Sequence, residues 1–506
     1  MTIATSQRSA KRVAIVAASV AALLAGGVPQ AQAAKASIVV GMSIEPSGLD
    51  PTAAAPVANA QVTWQNVYQG LVRVDRDGKV QPQLAESWTV SSDGLTYTFK
   101  LRSNVKFQNG VTFDSSVAKF TFDRARAAES TNPQKQYYAA ITSIDTPTPD
   151  TLVLHLAAPF GDLLFRLGSS SAVMVEPSSA ADDKTNPVGT GPFKLKTWIK
   201  GDRVELIRDP NYWETTKKVA LDDVTFRFIS DQQAQVAAVL SGDVDAFPEM
   251  GAPELFGKFQ SDPRFAAVIG NTELKVVAGM NSERKPFDDV RVRRALMMAV
   301  DRNLLIKAVS SGLGEPIGSH YTRNDPGYID LAGELPYDPK KAKALLAEAG
   351  YPNGLTFSFK TPQMGYATRS GEVLQSMFAD IGVTMTIVPT EFPAKWISEV
   401  YKAGDYDMTI VAHAETMDIG IYAKDGYYFH YKNPAFNKVV SDAEHATDEA
   451  TRNKLYGDAQ KILADDVPAL FLYVIPKLGV WNAKLEGLWK NEPIPSNDVT
   501  EVHWTD

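Results

Sequence analysis

The sequence predicts an α/β fold with a strand-rich front, a back half of alternating helices and strands, and a cleft where they meet. Three observations lead there. Before residue 230, apolar residues recur at every second position in several short runs, as in strands with one buried face. Beyond about residue 285 the apolar period lengthens to that of an amphipathic helix. From there helical stripes alternate with short apolar runs, as helices layered on a central sheet require.

In chain order, residues 95–101 alternate cleanly, preceded by the turn chemistry of Ser92-Asp93-Gly94. Leu152, Leu154 and Leu156 repeat the pattern, as do Val224, Phe226 and Phe228. Val292, Ala295, Leu296, Ala299 and Val300 make the first helical stripe, with Arg291, Arg294 and Asp301 opposite. Asp338 caps a second helix, Pro339 suits its first turn, and Gly350 suits its end. Leu374, Met377, Phe378 and Ile381 form a third stripe; Leu455, Ala459, Ile462 and Leu463 form a fourth. Strands are predicted between them at 356–360, 383–388, 407–412 and 469–475.

Composition narrows the function. The 506 residues are 44% hydrophobic and 22% charged, enough for two or three domains with real cores. A net charge of −8 gives no basic footprint for nucleic acid. With no cysteine, thiol nucleophiles, disulfides and cysteine-ligated metals are excluded. Residues 1–33 read as a secretory signal: Arg8, Lys11 and Arg12, then the apolar run 13–27, then Ala31-Gln32-Ala33. The run is too short to span a bilayer, and cleavage is expected after Ala33. Losing three positive charges takes the net charge from −8 to −11. Without cysteine, lipid attachment at an N-terminal Cys is excluded too, so an unanchored periplasmic protein is expected.

An ordered series of segments then carries a resemblance. Asn66-Val-Tyr-Gln-Gly-Leu-Val72 is followed by Pro82-Gln-Leu-Ala-Glu-Ser-Trp88 and the Asp93–Arg102 strand. Pro187-Val-Gly-Thr-Gly-Pro-Phe193 and Asp209-Pro-Asn-Tyr-Trp213 come next. Met280-Asn281, the helix opening at Pro286-Phe-Asp-Asp-Val and Ala299-Val-Asp-Arg302 complete it. Together they resemble the extracytoplasmic solute-binding proteins of peptide/nickel-type ABC transporters. The resemblance implies a periplasmic-binding-protein clamshell of three domains. One lobe would join residues 34–60, 186–275 and 478–506; an extra domain at 61–185 would pack on it, and 276–477 would form the opposing lobe. It also implies a peptide or small organic ligand, inner-membrane permease subunits with a cytoplasmic ATPase as partners, a monomeric state and no cofactor. Taken by themselves, Gly189 and Gly191 lack the remaining residues of a phosphate loop, and Asp288 and Asp289 read as helix-cap acids.

The resemblance places ligand contacts in the loop after the 407–412 strand. Peptide-binding relatives have a tryptophan there and, three positions on, an acid that receives the peptide's amino group. This chain reads Ala412-His-Ala-Glu-Thr-Met-Asp418, with His413 at the tryptophan's place and Thr416 at the acid's. Glu415 and Asp418 are therefore the candidates for meeting a cationic group, with His413 stacking on or coordinating the solute. Tyr422 and Tyr427 open an aromatic stretch that suits a pocket for organic solutes. Trp64, Met280, Asn281 and Trp396 complete the candidate set. The arginine that holds a dipeptide's carboxylate in relatives has no clear counterpart beyond Arg369. A longer peptide, a modified amino acid, an opine or sugar conjugate and a nickel or iron chelate all stay open. No two of the six histidines sit at i, i+3 or i+4, so no dedicated zinc site is expected. No nucleophile elbow occurs, which leaves a secreted hydrolase as the remote alternative to binding.

Overall fold

The computed structural model describes residues 35–53 and 57–505. The secretory signal expected at 1–33 lies outside the described residues. Three sheets organise the rest. A seven-stranded sheet runs in the order Phe265–Gly270, Lys477–Asn482, Ala246–Phe247, Ser37–Met42, Asp223–Phe228, Arg203–Arg208 and Phe193–Ile199. Its central strand, Ser37–Met42, pairs in parallel with Asp223–Phe228, placing Val40 beside Phe226. Both side chains are buried, so the alternation of Val224 and Phe226 points into a core shared with Ile38 and Leu206.

A six-stranded sheet runs Glu315–Pro316, Ala469–Val474, Lys275–Met280, Met408–His413, Leu355–Pro362 and Val383–Thr390. The helices Val290–Met298, Pro339–Glu348, Gly365–Asp380 and Glu449–Asp466 accompany it, matching the four apolar stripes. Asp289 caps the first by accepting from Arg291 N at 2.8 Å, and Asp338 caps the second through Lys341 N at 2.9 Å. A four-stranded antiparallel sheet, Ala85–Val90, Thr96–Leu101, Thr151–Leu156 and Ile141–Thr148, buries Tyr97, Phe99, Leu152 and Leu154 against the helix Ser115–Arg126. Each such aliphatic or aromatic side chain contributes about 1.5–3 kcal/mol by leaving water.

Gly189 and Gly191 serve packing. A Cβ on Gly189 would stand 1.9 Å from the Val67 carbonyl oxygen, and one on Gly191 2.5 Å from that of Asn66. The bare backbone lets Gly191 N donate to Val67 O at 2.8 Å, which binds this segment to residues 66–67.

Two short segments, 271–274 and 475–476, carry the chain between the seven- and six-stranded sheets. They run side by side, with Ile475 N donating to Leu274 O at 3.0 Å and the Thr272 hydroxyl to Ile475 O. A second bridge is made by a side chain. Arg166, from the unit built on the four-stranded sheet, donates to the carbonyls of Thr416 (3.1 Å) and Met417 (3.2 Å) in the opposite unit.

Candidate functional site

A cavity of about 900 Å³ lies between the seven- and six-stranded units, with the crossing segments as its floor. One wall carries Ser43, Ile44, Gln61, Phe247, Glu249, Glu492 and Asn497; the other carries Met364, Tyr366, Phe392, Val411, Ala412 and Ala414. Thr272, Glu273, Leu274 and Ile475 close the floor. The volume is that of a site for a small organic molecule or short peptide.

Local periodicity explains which residues reach the wall. In the helix Val57–Thr63, the cavity face takes Val57, Ala58 and Gln61, the i, i+1, i+4 set of one helix face. Trp64, just beyond, turns the other way into the core, edge-on to Trp489 at 5.9 Å. At the end of Met408–His413, Val411, Ala412 and Ala414 border the cavity, while the His413 side chain is buried behind them.

None of the nine residues expected from the sequence lines this cavity. Met280 is buried in the core of the six-stranded unit. Asn281 braces a loop, donating to Gly404 O at 3.0 Å and accepting from Glu283 N at 3.2 Å. Trp396 is buried with Nε1 donating to the Thr409 hydroxyl at 2.9 Å, while its neighbours Phe392 and Pro393 reach the cavity. Tyr422 stacks on Phe429 at 4.3 Å, and Tyr427 packs edge-on to Tyr401 at 5.5 Å. Glu415 is exposed and away from the cavity wall. Arg369 is exposed on its helix, likewise off the wall.

His413 and Asp418 belong to a buried ionic cluster instead. Asp418 Oδ1 lies 3.1 Å from the Lys275 ammonium, and its Oδ2 lies 3.1 Å from His320 Nε2. His320 Nδ1 faces the Tyr422 hydroxyl at 3.1 Å, and His413 Nε2 faces that of Tyr428 at 2.9 Å. Lys275 also donates to Glu415 O at 2.6 Å. Burial alone would raise the pKa of Asp418, but His320 and Lys275 outweigh it and hold the carboxylate well below its ordinary range. Burial and the adjacent His320 push His413 down to about 3, leaving it a neutral imidazole.

The ligand atoms of His320, His413 and Asp418 lie within 4.8 Å of one another, close enough to consider a metal. The donor set argues against one. Asp418 already carries the Lys275 ammonium, which a divalent cation would have to face at contact distance. The tyrosine hydroxyls occupy one nitrogen of each imidazole. This cluster neutralises itself and sits behind the cavity.

Sequence reasoning did not single out Glu249, Glu492, Gln61 or Asn497. Gln61 sits on a seven-residue helix, Val57–Thr63, too short to show an apolar stripe that would orient it. Glu249 follows a two-residue strand, and Glu492 precedes Pro493 and Pro495 in the C-terminal tail, so neither sits in a readable pattern.

Comparison with known proteins places this geometry. The signature of the bacterial extracellular solute-binding proteins, family 5 Middle, matches residues 79–437. The glutathione-binding protein GsiB of Salmonella typhimurium is 30% identical over 475 residues, covering 89% of this chain and 91% of its own. Among solved structures, the binding protein AgaA of A. tumefaciens R10 in complex with agropinic acid superposes with a TM-score of 0.78 at 25% identity, covering 93% of this chain and 99% of its own. HbpA2 of Haemophilus parasuis shares the fold with a TM-score of 0.82 at 22% identity, covering 93% of this chain and 100% of its own.

Proposed function

Because this chain belongs to the bacterial extracellular solute-binding proteins of family 5, the solute-binding components of ABC importers, we propose that the cavity between its two large sheets captures a small organic or peptide-like solute. The observation that carries this reading is the wall itself. Its residues come from both sheet units and meet across only two crossing segments, so a solute held there touches both halves at once. Contacts made simultaneously to both halves favour the closed arrangement over any open one. The Arg166 bonds to Thr416 and Met417 also join the two sides and would form only on closure.

Delivery to an inner-membrane permease follows from the family's role. Among the described residues no helix is long and apolar enough to cross a membrane. With the leader expected at 1–33 and no cysteine to acylate, we read the mature protein as periplasmic and unanchored. Binding without chemistry fits the wall, which pairs its acids with no histidine or serine–base arrangement among the described residues. A chelate reading gains nothing from the His320–His413–Asp418 cluster, which lies off the wall.

The test is native mass spectrometry of the protein purified from periplasm, followed by thermal unfolding with the recovered solute. A bound small molecule that returns unchanged and raises Tm supports capture without turnover. Conversion of the solute to a product would overturn it.

A further inference from the structure

Resting on the solute-binding reading, we propose that the solute carries a cationic nitrogen, an ammonium or guanidinium, on an apolar body, and that Glu249 and Glu492 receive that nitrogen. The charges on the cavity wall point one way. Glu249, Glu273 and Glu492 line it, and no lysine, arginine or histidine does among the described residues. An anionic end, such as a free peptide carboxylate, would find repulsion on that wall and no partner.

Glu249 and Glu492 stand side by side in one corner, their carboxyl groups within hydrogen-bonding reach. Gln61 Nε2 donates to Glu249 Oε1. Among the described residues the cation in this corner is Lys477, behind the wall, 3.6 Å from Glu492 Oε2. Two acids therefore share one ammonium, and a second positive charge is missing. An independent feature of the same wall agrees. Asn497 is about nine-tenths buried, lines the cavity, and leaves its side-chain Oδ1 without a hydrogen-bond partner. That oxygen is an acceptor left unsatisfied beneath the wall, and a rotation of the side chain that turned it to the cavity would offer it to the N–H groups of a cation.

The rest of the wall calls for an apolar body. Ile44, Val57, Met364 and Phe392 are among the few large hydrophobic side chains left exposed, and all four lie at this cavity. Two come from each side, so an apolar solute would cover both sets on closure. Across the cavity, the family's usual acid position is occupied by Thr416, and Asp418 nearby is already bonded to Lys275. The cation's place has passed to the opposite wall.

The test is thermal unfolding and calorimetry with a fixed panel: arylalkylamines, alkylguanidines, dipeptides, their N-acetylated or neutral counterparts, simple sugars and dicarboxylates, together with a periplasmic extract. Compounds with a cationic nitrogen on an apolar body should raise Tm, and N-acetylation should abolish the rise. Glu249→Gln and Glu492→Gln, each folded by circular dichroism, should weaken the best amine at least tenfold. Binding should also release a proton, seen as heats that differ between buffers of different ionisation enthalpy, because a cation favours the ionised form of the Glu249 carboxyl, whose pKa burial and the adjacent Glu492 push up. The inference is overturned if neutral or anionic compounds carry the Tm rises, or if both variants bind the best amine like the parent. It is also overturned if the extract's solute has no basic nitrogen by mass. A parent protein that neither the panel nor the extract stabilises would instead sink the solute-binding reading itself.

Discussion

Two corners of this molecule bury carboxylates beside a lysine, and they end in opposite electrostatic states. Around Asp418, a fully buried Lys275 and the His320 imidazole meet both carboxylate oxygens at 3.1 Å. Burial also lowers the pKa of Lys275, yet Asp418 and its neighbours more than reverse that, so both members of the pair stay charged. Around Glu249, burial and the adjacent Glu492 act together, and Lys477 offsets them only in part, pushing Glu249 up to about 8. The contrast teaches where to look for a ligand. A carboxylate satisfied by its own protein is architecture, whereas one short of a countercharge on a cavity wall is an invitation to a cation.

The largest effect that could break this contrast is at Lys275. Lys275→Met should strip the countercharge from a buried carboxylate and cost about 3–5 kcal/mol, read from urea or thermal unfolding. Adding Asp418→Asn should restore a good part of that loss, because the orphaned charge goes with it. The depressed pKa of Asp418 sets the pH sense: its stabilisation is present above the unfolded carboxylate range and fades as pH falls into strong acid. A neutral Lys275→Met would show that the pair is no more than a contact.

Glu249 should behave oppositely, with a smaller amplitude. Its folded pKa is raised above the unfolded value, so its contribution is present below about pH 4 and is lost as pH climbs through about 8. Glu249→Gln, which cannot ionise, should therefore be more stable than the parent at pH 9 and should match it near pH 4. Unfolding at both pH values without ligand decides this. A variant less stable than its parent at pH 9 would place Glu249 in the architectural class beside Asp418.

The fold was largely legible because it rests on period. The alternation at Leu152, Leu154 and Leu156 became Thr151–Leu156, and the stripe around Leu296 became Val290–Met298 with Asp289 as its cap. Burial of one face dictates those patterns, so they are written locally. The cavity wall is not local. Glu249, Glu492 and Gln61 meet from segments more than 180 residues apart or joined only through the sheet, and nothing in their neighbourhoods records the meeting. In the loop 412–418 the sequence draws attention to His413, whereas Ala412 and Ala414 are the residues that line this cavity. A bulky or charged side chain draws attention in a sequence, yet on an inward-facing position it signals a satisfied core.

Arg166 offers a smaller test of the same distinction. It holds the carbonyls of Thr416 and Met417 from across the molecule while its guanidinium lies over the Tyr137 ring at 4.2 Å. Arg166→Met should leave those carbonyls without partners and cost about 1–3 kcal/mol. If these bonds belong to the closed form, the loss should appear as faster solute release in stopped flow, with little change in association. Equal slowing of both rates would remove Arg166 from closure.

The smallest effect is expected at Glu415, and its smallness is informative. Glu415 is the acid that the loop sequence offers most openly, three residues before Asp418, yet its side chain is exposed and off the cavity wall. Its only structural task in the buried cluster is performed by its backbone carbonyl, which accepts from Lys275, and Glu415→Gln leaves that oxygen in place. Stability should change by no more than about 0.5 kcal/mol, as for surface substitutions away from special features. Solute affinity should stay within about twofold, since an exposed charge outside the cavity acts through screened water. Calorimetry on Glu415→Gln and Glu249→Gln side by side makes the comparison direct. Should Glu415→Gln prove the more damaging of the two, the cation would belong to the loop that sequence alone favoured, and the unpaired acids of the opposite wall would lose their role.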